Sequence, residues 1–295
     1  MNQSLFVGFW NINLSPPIGN RWNKSKVDKK IKVSRVIQGL LKLDFDFLCL
    51  CEVSPEDMEF IDNSIQLIGM GYDYNIYRKN YGGLYFDTCV IFKNTFDFVQ
   101  SKVEVDGEEK NKLKVFQKYE FLSGHLEERI IFYVTHWLSQ LNDNKEKRRT
   151  VASFIKKDTN DDEKKFFNKT KFVVLGDFNV EPYDSAILEG LRSTRDQKVI
   201  SNNSSLFYNP FWKFLQIKED QPSGTHHCTK NEFHHWHIYD QILVSGNFFR
   251  DGWNLDDNLV LVFDDKMISS LHNDSFSNPS DHLPICLKLE KTKCI

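Results

Sequence analysis

Asp177 and Asn179 close the run Lys171-Phe-Val-Val-Leu-Gly-Asp-Phe-Asn. A carboxylate and an amide two residues apart on a strand point the same way, so they can converge on one water or one cation. Asp and Asn are also favoured wherever a strand turns, and on this stretch alone turn and site weigh equally. The same pattern of an apolar, β-rich run followed by a polar or titratable residue recurs along the chain. Phe45 to Cys51 delivers Glu52, Arg129 to Val134 leads to His136, Ile238 to Ser245 carries Asp240, and Asp281-His282 precede the run Leu283 to Leu289. Asn11 lies deep in the first run, Leu5 to Leu14, where an unpaired buried amide would cost on the order of 1–3 kcal/mol. Each residue taken singly has a plain structural reading, Glu52 as a surface turn and Asn11 as a satisfied core amide. Together they offer carboxylates, amides and imidazoles, the groups that bind hard cations and move protons.

The elements that must position these groups are short strands and a few helices. Phe45 to Cys51 and Phe172 to Leu175 are apolar almost throughout and predict strands buried on both faces. Lys24 to Leu43 predicts an amphipathic helix, with Val27, Ile31, Ile37, Leu40 and Leu41 on its apolar face and its lysines solvated. Ser54-Pro55-Glu56-Asp57 is a helix start with its own capping box, so Glu52 is not needed as a cap. YDYNIY and FDTCVIFKN, with Gly82-Gly83 between them, predict a hairpin or meander. Val103 to Lys114 reads as a polar loop, Asn142 to Lys157 as a helix followed by an exposed tract from Asp158 to Lys169, and Asp184 to Arg192 as another helix. Asp264 and Asp265 read as a solvated loop. Ser201 to Pro222 reads as a long aromatic-rich connection that packs on the core. His226, His227, Cys228, His234, His235 and His237 suggest zinc by composition, but their spacing fits no closed four-ligand pattern.

A chain of 295 residues with 40% hydrophobic and 14% aromatic residues, 25 of them Phe, has ample material for a thick core. One domain spanning 1–295 is the expectation, because layered folds reach this size without splitting. A net charge of −3 gives no bulk attraction to polyphosphate, so a nucleic-acid or phosphate ligand would need a local patch or a metal. Candidates for such a patch are Arg21, Lys24, Lys26, Arg78, Lys79, Arg148 and Arg149. Six scattered cysteines argue for reduced thiols, and with no signal-peptide pattern at the N-terminus and no spanning apolar segment, a cytoplasmic location is expected.

The segments FWNIN, DFLCLCEV, YVTHW, VVLGDFNVEP, HIYDQILVS and SDHLPI, in this order from residue 6 to about residue 289, resemble the endonuclease/exonuclease/phosphatase (DNase I-like) superfamily. The resemblance implies an α/β (α+β) fold, a four-layer α/β/β/α sandwich of two mixed sheets flanked by helices, with the site at one end. It implies a Mg²⁺- or Mn²⁺-dependent phosphoric ester hydrolase, with nucleic acid as the expected substrate. A phosphomonoesterase and an inactive binding protein of the same fold are the alternatives. Carried over residue by residue, Glu52 with Asn11 would hold the cation, and Asp281 would be a further metal ligand or leaving-group partner. Asp177 would orient or deprotonate the attacking water, Asn179 would fix the phosphate or the water, and His136 and His282 would contact phosphate oxygens, the latter oriented by Asp240. SGT at Ser223 to Thr225 and YNPFW at Tyr208 to Trp212 also look like bacterial members of the family.

Overall fold

The computed structural model describes residues 3–18, 21–78, 84–107, 112–139, 144–166, 169–216, 223–229, 235–272 and 277–291. Two seven-stranded mixed sheets face one another. The first runs in the order Trp253–Leu255, Ile285–Lys291, Gln3–Asn11, Phe47–Cys51, Thr88–Lys93, Tyr72–Ile76, with Leu261–Val262 also paired to Ile285–Lys291. The second runs Ser193–Thr194, Phe207–Tyr208, Asp240–Ser245, Thr170–Asp177, Glu128–His136, Leu113–Ser123, Asp97–Asp106.

Side-chain alternation explains why there are four layers. Along Phe47–Cys51, Phe47, Cys49 and Cys51 enter the core between the sheets, while Leu48 and Leu50 enter a second core under the helices. Along Thr170–Asp177, Val173 and Leu175 face the other sheet, and Phe172 and Val174 face outward into a third cluster. A strand apolar on both faces needs cover on both. The helix Val27–Leu41 supplies it on one side through Val33, Val36, Ile37, Leu40 and Leu41, and the helix Lys145–Lys165 on the other through Val151, Ala152 and Ile155. Between the sheets the Phe47 ring lies 4.4–4.9 Å from those of Phe96, Phe121 and Phe132.

Register then brings the polar strand ends to one level. Asp177 lies opposite His136 on its parallel neighbour and opposite Asp240 on its antiparallel neighbour. In the facing sheet Asn11 lies opposite Cys51, so Glu52 emerges beside it. Gly176 is needed for this approach: its φ is +155°, and a Cβ there would lie 1.8 Å from the Thr135 carbonyl oxygen.

Several local expectations need correction. Val27 and Ile31 are exposed, and the apolar stripe of their helix begins at Val33. Residues 103–106 belong to the edge strand Asp97–Asp106, which pairs with Leu113–Ser123. The helix expected to end at Lys157 continues to Lys165, because Asp158 and Asp162 accept the Tyr133 hydroxyl and pair with Lys118. The expected helix from Asp184 to Arg192 is a π-helical turn over Ala186–Gly190. Asp265 opens the helix Asp265–His272, and Asp264 accepts the Met267 N–H at its start. Residues 79–83, 217–222 and 230–234 lie outside the described residues, and with them Lys79, Gly82-Gly83 and His234.

Candidate active site

The strand ends assemble around one carboxylate. Asp177 Oδ1 accepts the Asn179 backbone N–H at 2.9 Å, an Asx turn that fixes the rotamer and leaves the second carboxylate oxygen to point elsewhere. Asp177 Oδ2 points inward to Asn11 Nδ2 at 3.1 Å, His282 Nε2 at 3.7 Å and His136 Nε2 at 3.9 Å. Asn11 Nδ2 also reaches Glu52 Oε1 at 3.2 Å, which links the acids of the two sheets.

Each imidazole is oriented from behind by a buried acid. His136 Nδ1 lies 2.7 Å from Asp87 Oδ2, and Asp87 is in turn paired with Lys114 Nζ at 2.6 Å. His282 Nδ1 lies 2.8 and 3.0 Å from the two oxygens of Asp240. These contacts fix which ring nitrogen faces Asp177. Asp240 is braced by Thr225, whose hydroxyl accepts its N–H at 3.0 Å, and the Thr225 carbonyl holds the Leu283 N–H. That is the physical role of the SGT segment. The hydroxyl of Ser280 donates to the Asn11 carbonyl and accepts the His282 N–H, tying the last loop to the first strand.

Electrostatics follow from this packing. Burial alone would lower the His136 pKa, but the charge and hydrogen bond of Asp87, then Glu52 and Asp177, outweigh it and hold the ring at about 9. Burial presses both members of the Asp240–His282 pair towards neutrality, yet Asp240, then Asp177 and Asp281, raise His282 to about 10. Burial would raise Asp87 too, but Lys114 and His136 hold it below the ordinary carboxylate range. Glu52 goes the other way: burial raises it, and Asp87 adds to that against His136 and Asn11. Its backbone sits at φ +56°, held by the Leu14 and Ser15 N–H groups on its carbonyl.

The structure places the remaining expected residues less centrally. The Asn179 side-chain NH₂ donates to the Trp137 carbonyl at 3.0 Å, which makes it a brace of the turn. Asn11 gives its amide oxygen to the Asn13 N–H and its NH₂ to the carboxylates, so it would have to turn over to ligate a cation. Asp281 stands at the rim, with Asn13 Nδ2 at 2.9 Å and His226 Nε2 at 3.8 Å. Asp87, Lys114 and Lys29 were not anticipated. Lys29, assigned by periodicity to a solvated face, donates to the Asn13 carbonyl and feels the charges of Asp281 and Glu52, while its partial burial lowers its pKa. Asp87 had one legible signal, an acid set between aromatic and β-branched residues in YFDTCV.

Five carboxylates (Glu52, Asp87, Asp177, Asp240 and Asp281) share this region with two lysines, Lys29 and Lys114. Among the described residues, Glu52 has no lysine or arginine within ion-pair distance. With the His136 and His282 rings, raised to about 9 and about 10, counted alongside the two lysines, the five acids exceed the bases by one. Glu52, so left beside a space rimmed by imidazoles, fits a bound cation. One buried group whose ligand atoms lie close enough to share an ion is Asp177, Asp240 and His282. In it both Asp240 oxygens are committed to His282, which leaves Asp177 as its available oxygen donor.

The model of the Endonuclease/Exonuclease/phosphatase family matches residues 11–291. The chain belongs to this family. Among solved structures, the human Nocturnin catalytic domain with bound sulfate anion is similar at 19% identity and TM-score 0.63, covering 99% of this chain and 98% of that one. TDP2 of D. rerio complexed with single strand DNA product is 13% identical at TM-score 0.62, covering 97% and 99%. The Bacteroides thetaiotaomicron mannosyl-6-phosphatase Bt3783 is 15% identical at TM-score 0.61, covering 97% and 99%. No curated protein matches the chain significantly. At these identities the likeness carries the fold, and the family's members are phosphoester hydrolases. No helix among the described residues is long and apolar enough to cross a membrane.

Proposed function

We propose that residues 1–295 act as one domain that hydrolyses a phosphodiester in nucleic acid with Mg²⁺ or Mn²⁺ bound at the Glu52 end of the site. The observation that carries this reading is the convergence of two acid–imidazole pairs, Asp87–His136 and Asp240–His282, on one oxygen of Asp177. Protonated at neutral pH, the two Nε2–H groups donate to non-bridging phosphate oxygens from either side. Asp177 Oδ2, its partner oxygen fixed by Asn179, aligns a water and takes its proton as the oxygen attacks phosphorus in line with the departing ester oxygen. Glu52, with Asp177 beside it and Asn11 after reorientation, would hold the ion, which supplies charge neutralisation at the phosphate. Asp281 and Lys29 complete the rim on the leaving-group side. Free, mostly buried cysteines at 49, 51, 89, 228 and 286 support a reducing, cytoplasmic setting.

The phosphodiester preference draws on the single strand DNA product held by one neighbour and on the aromatic pair Trp22 and Tyr85, 5.1 Å apart on the segments that precede Lys29 and Asp87. A phosphomonoester is the second reading, favoured by the fate of the basic patch. Lys24 pairs with Glu56, Arg78 with Glu59 and Arg149 with Glu146, and Arg148 is buried on the Leu138 carbonyl. The test is a side-by-side assay of oligonucleotides and sugar or inositol phosphates in Mg²⁺ and Mn²⁺. Cleavage of oligonucleotides that stops in EDTA supports the proposal. Phosphate release from the small esters alone would replace it with the second reading.

A further inference from the structure

His226 plays no part in the chemistry above, yet it is built against it. A backbone bridge pairs His226 with His282, and their ring centroids lie 4.4 Å apart. On its other face the Tyr239 ring stacks at 5.3 Å. Its Nε2 lies 3.8 Å from Asp281 Oδ2, and its Nδ1 is buried with no hydrogen-bond partner among the described residues. The neighbouring His227 N–H holds the Asp281 carbonyl at 2.9 Å, which fixes the carboxylate's segment to the same hairpin. His227 itself turns away, its ring 4.6 Å from Trp236.

We infer that His226, Asp281 and His282 form a second metal site, for a borderline ion such as Zn²⁺, distinct in ligand chemistry from the carboxylate end at Glu52. The ligand atoms of the three residues lie within 4.8 Å of one another. A tetrahedral ion with bonds of about 2.0–2.1 Å needs donors roughly 3.4 Å apart, so side-chain shifts of about an ångström close the set. His282 contributes Nε2, since Asp240 holds its Nδ1, and that acid is the outer partner a metal-bound histidine requires. Two imidazoles and one carboxylate prefer Zn²⁺ to Mg²⁺, and three protein ligands leave an open position for water. This differs from the zinc pattern sought in the sequence, because only one of the clustered histidines takes part and its partners lie more than fifty residues further along the chain. Occupation would take His282 Nε2 away from phosphate, so the ion inhibits. That last consequence alone rests on the phosphoester reading.

Co²⁺ and Zn²⁺ titrations of the full chain in excess Mg²⁺, followed by Co²⁺ visible absorption and calorimetry without substrate, test the site. The wild type should bind Co²⁺ stoichiometrically with absorption of low-coordinate geometry, displaced by Zn²⁺. His226→Phe keeps the ring packing and should weaken Zn²⁺ by at least about a hundredfold, beyond what loss of an outer-shell partner costs. Asp281→Asn, at a half-exposed position, should do the same even if His226→Phe fails to fold. His227→Ala should bind as the wild type does. No Co²⁺ absorption in the wild type, or equal affinity in Asp281→Asn, would overturn the inference. Zn²⁺ binding as inferred in a protein that cleaves no phosphoester would leave the site standing and remove only its inhibitory role.

Discussion

The strand Thr170–Asp177 carries a buried ionic cluster near each of its ends, and the two are built in opposite ways. Near its start, Lys171 is fully buried and pairs with Asp251 and with Glu128 at 3.4 Å, while Lys291 also reaches Glu128 at 3.1 Å and Arg250 reaches Asp251 at 3.1 Å. There each acid touches two bases directly, Glu128 with Lys171 and Lys291, and Asp251 with Lys171 and Arg250. At its end, Asp177 faces imidazoles across 3.7–3.9 Å, and Glu52 lacks a lysine or arginine partner among the described residues. Those gaps are too long for hydrogen bonds, so the Asp177 oxygen and the two rings are close without being joined. The contrast separates a cluster that holds the fold closed from one that leaves charge for a ligand to complete.

The largest expected effect is at the closed end. Lys171→Met should lower stability by about 3 kcal/mol, the low side of the cost of breaking a buried pair because Lys291 and Arg250 remain, and so lower Tm by roughly 5–10 °C. The rate per folded molecule should hold. A large rate loss without a Tm change would erase the distinction between the two ends. At the open end, His282→Ala should lose at least about a hundredfold in kcat, or about 2.7 kcal/mol of barrier, in a protein that stays folded. Glu52→Gln keeps the side-chain shape but removes one charge, and should weaken Mg²⁺ or Mn²⁺ by about tenfold or more, read by metal titration of activity and by calorimetry. Unchanged affinity would move the ion elsewhere.

A smaller, continuous effect sharpens the same comparison. In the chelated protein, His136 and His282 bind protons more tightly folded than unfolded. The stability they add is complete below their ordinary value of 6.5 and is lost as pH rises through about 9 for His136 and about 10 for His282. Tm should therefore fall between pH 7 and pH 10 more steeply in the wild type than in a His136→Asn/His282→Asn double variant. Parallel curves would mean the rings are not charged. Smallest of all, His227→Ala, on the outer side of its hairpin, should leave activity within roughly threefold.

The open end was largely legible because its residues stand where apolar runs stop, and register does the rest. Asn11, Glu52, His136, Asp177 and Asp240 come from strand ends that pair or face one another, and His282 from the bridge to His226 just before the last strand. Asp87 was missed because its meaning depends on a histidine 49 positions away, on a strand of the other sheet. Lys29 was missed because helical periodicity tells exposed from buried and not which exposed lysine leans over a site. The helix beyond Lys157 reads as loop because it is polar all round, and its support comes from Lys118 and Tyr133 on the sheet below. Likewise the edge strand through Val103 is held by backbone pairing that its polar side chains do not announce.

The central claim is that Asp177 drives water onto a phosphoester. It is tested most directly by single-turnover cleavage of an oligonucleotide by the wild type and by Asp177→Asn, side by side in saturating Mg²⁺, with folding checked by thermal melts. The change keeps shape and removes the proton acceptor, so the cleavage rate should fall by at least about a hundredfold while substrate binding persists. Equal cleavage rates in a folded variant would contradict the account.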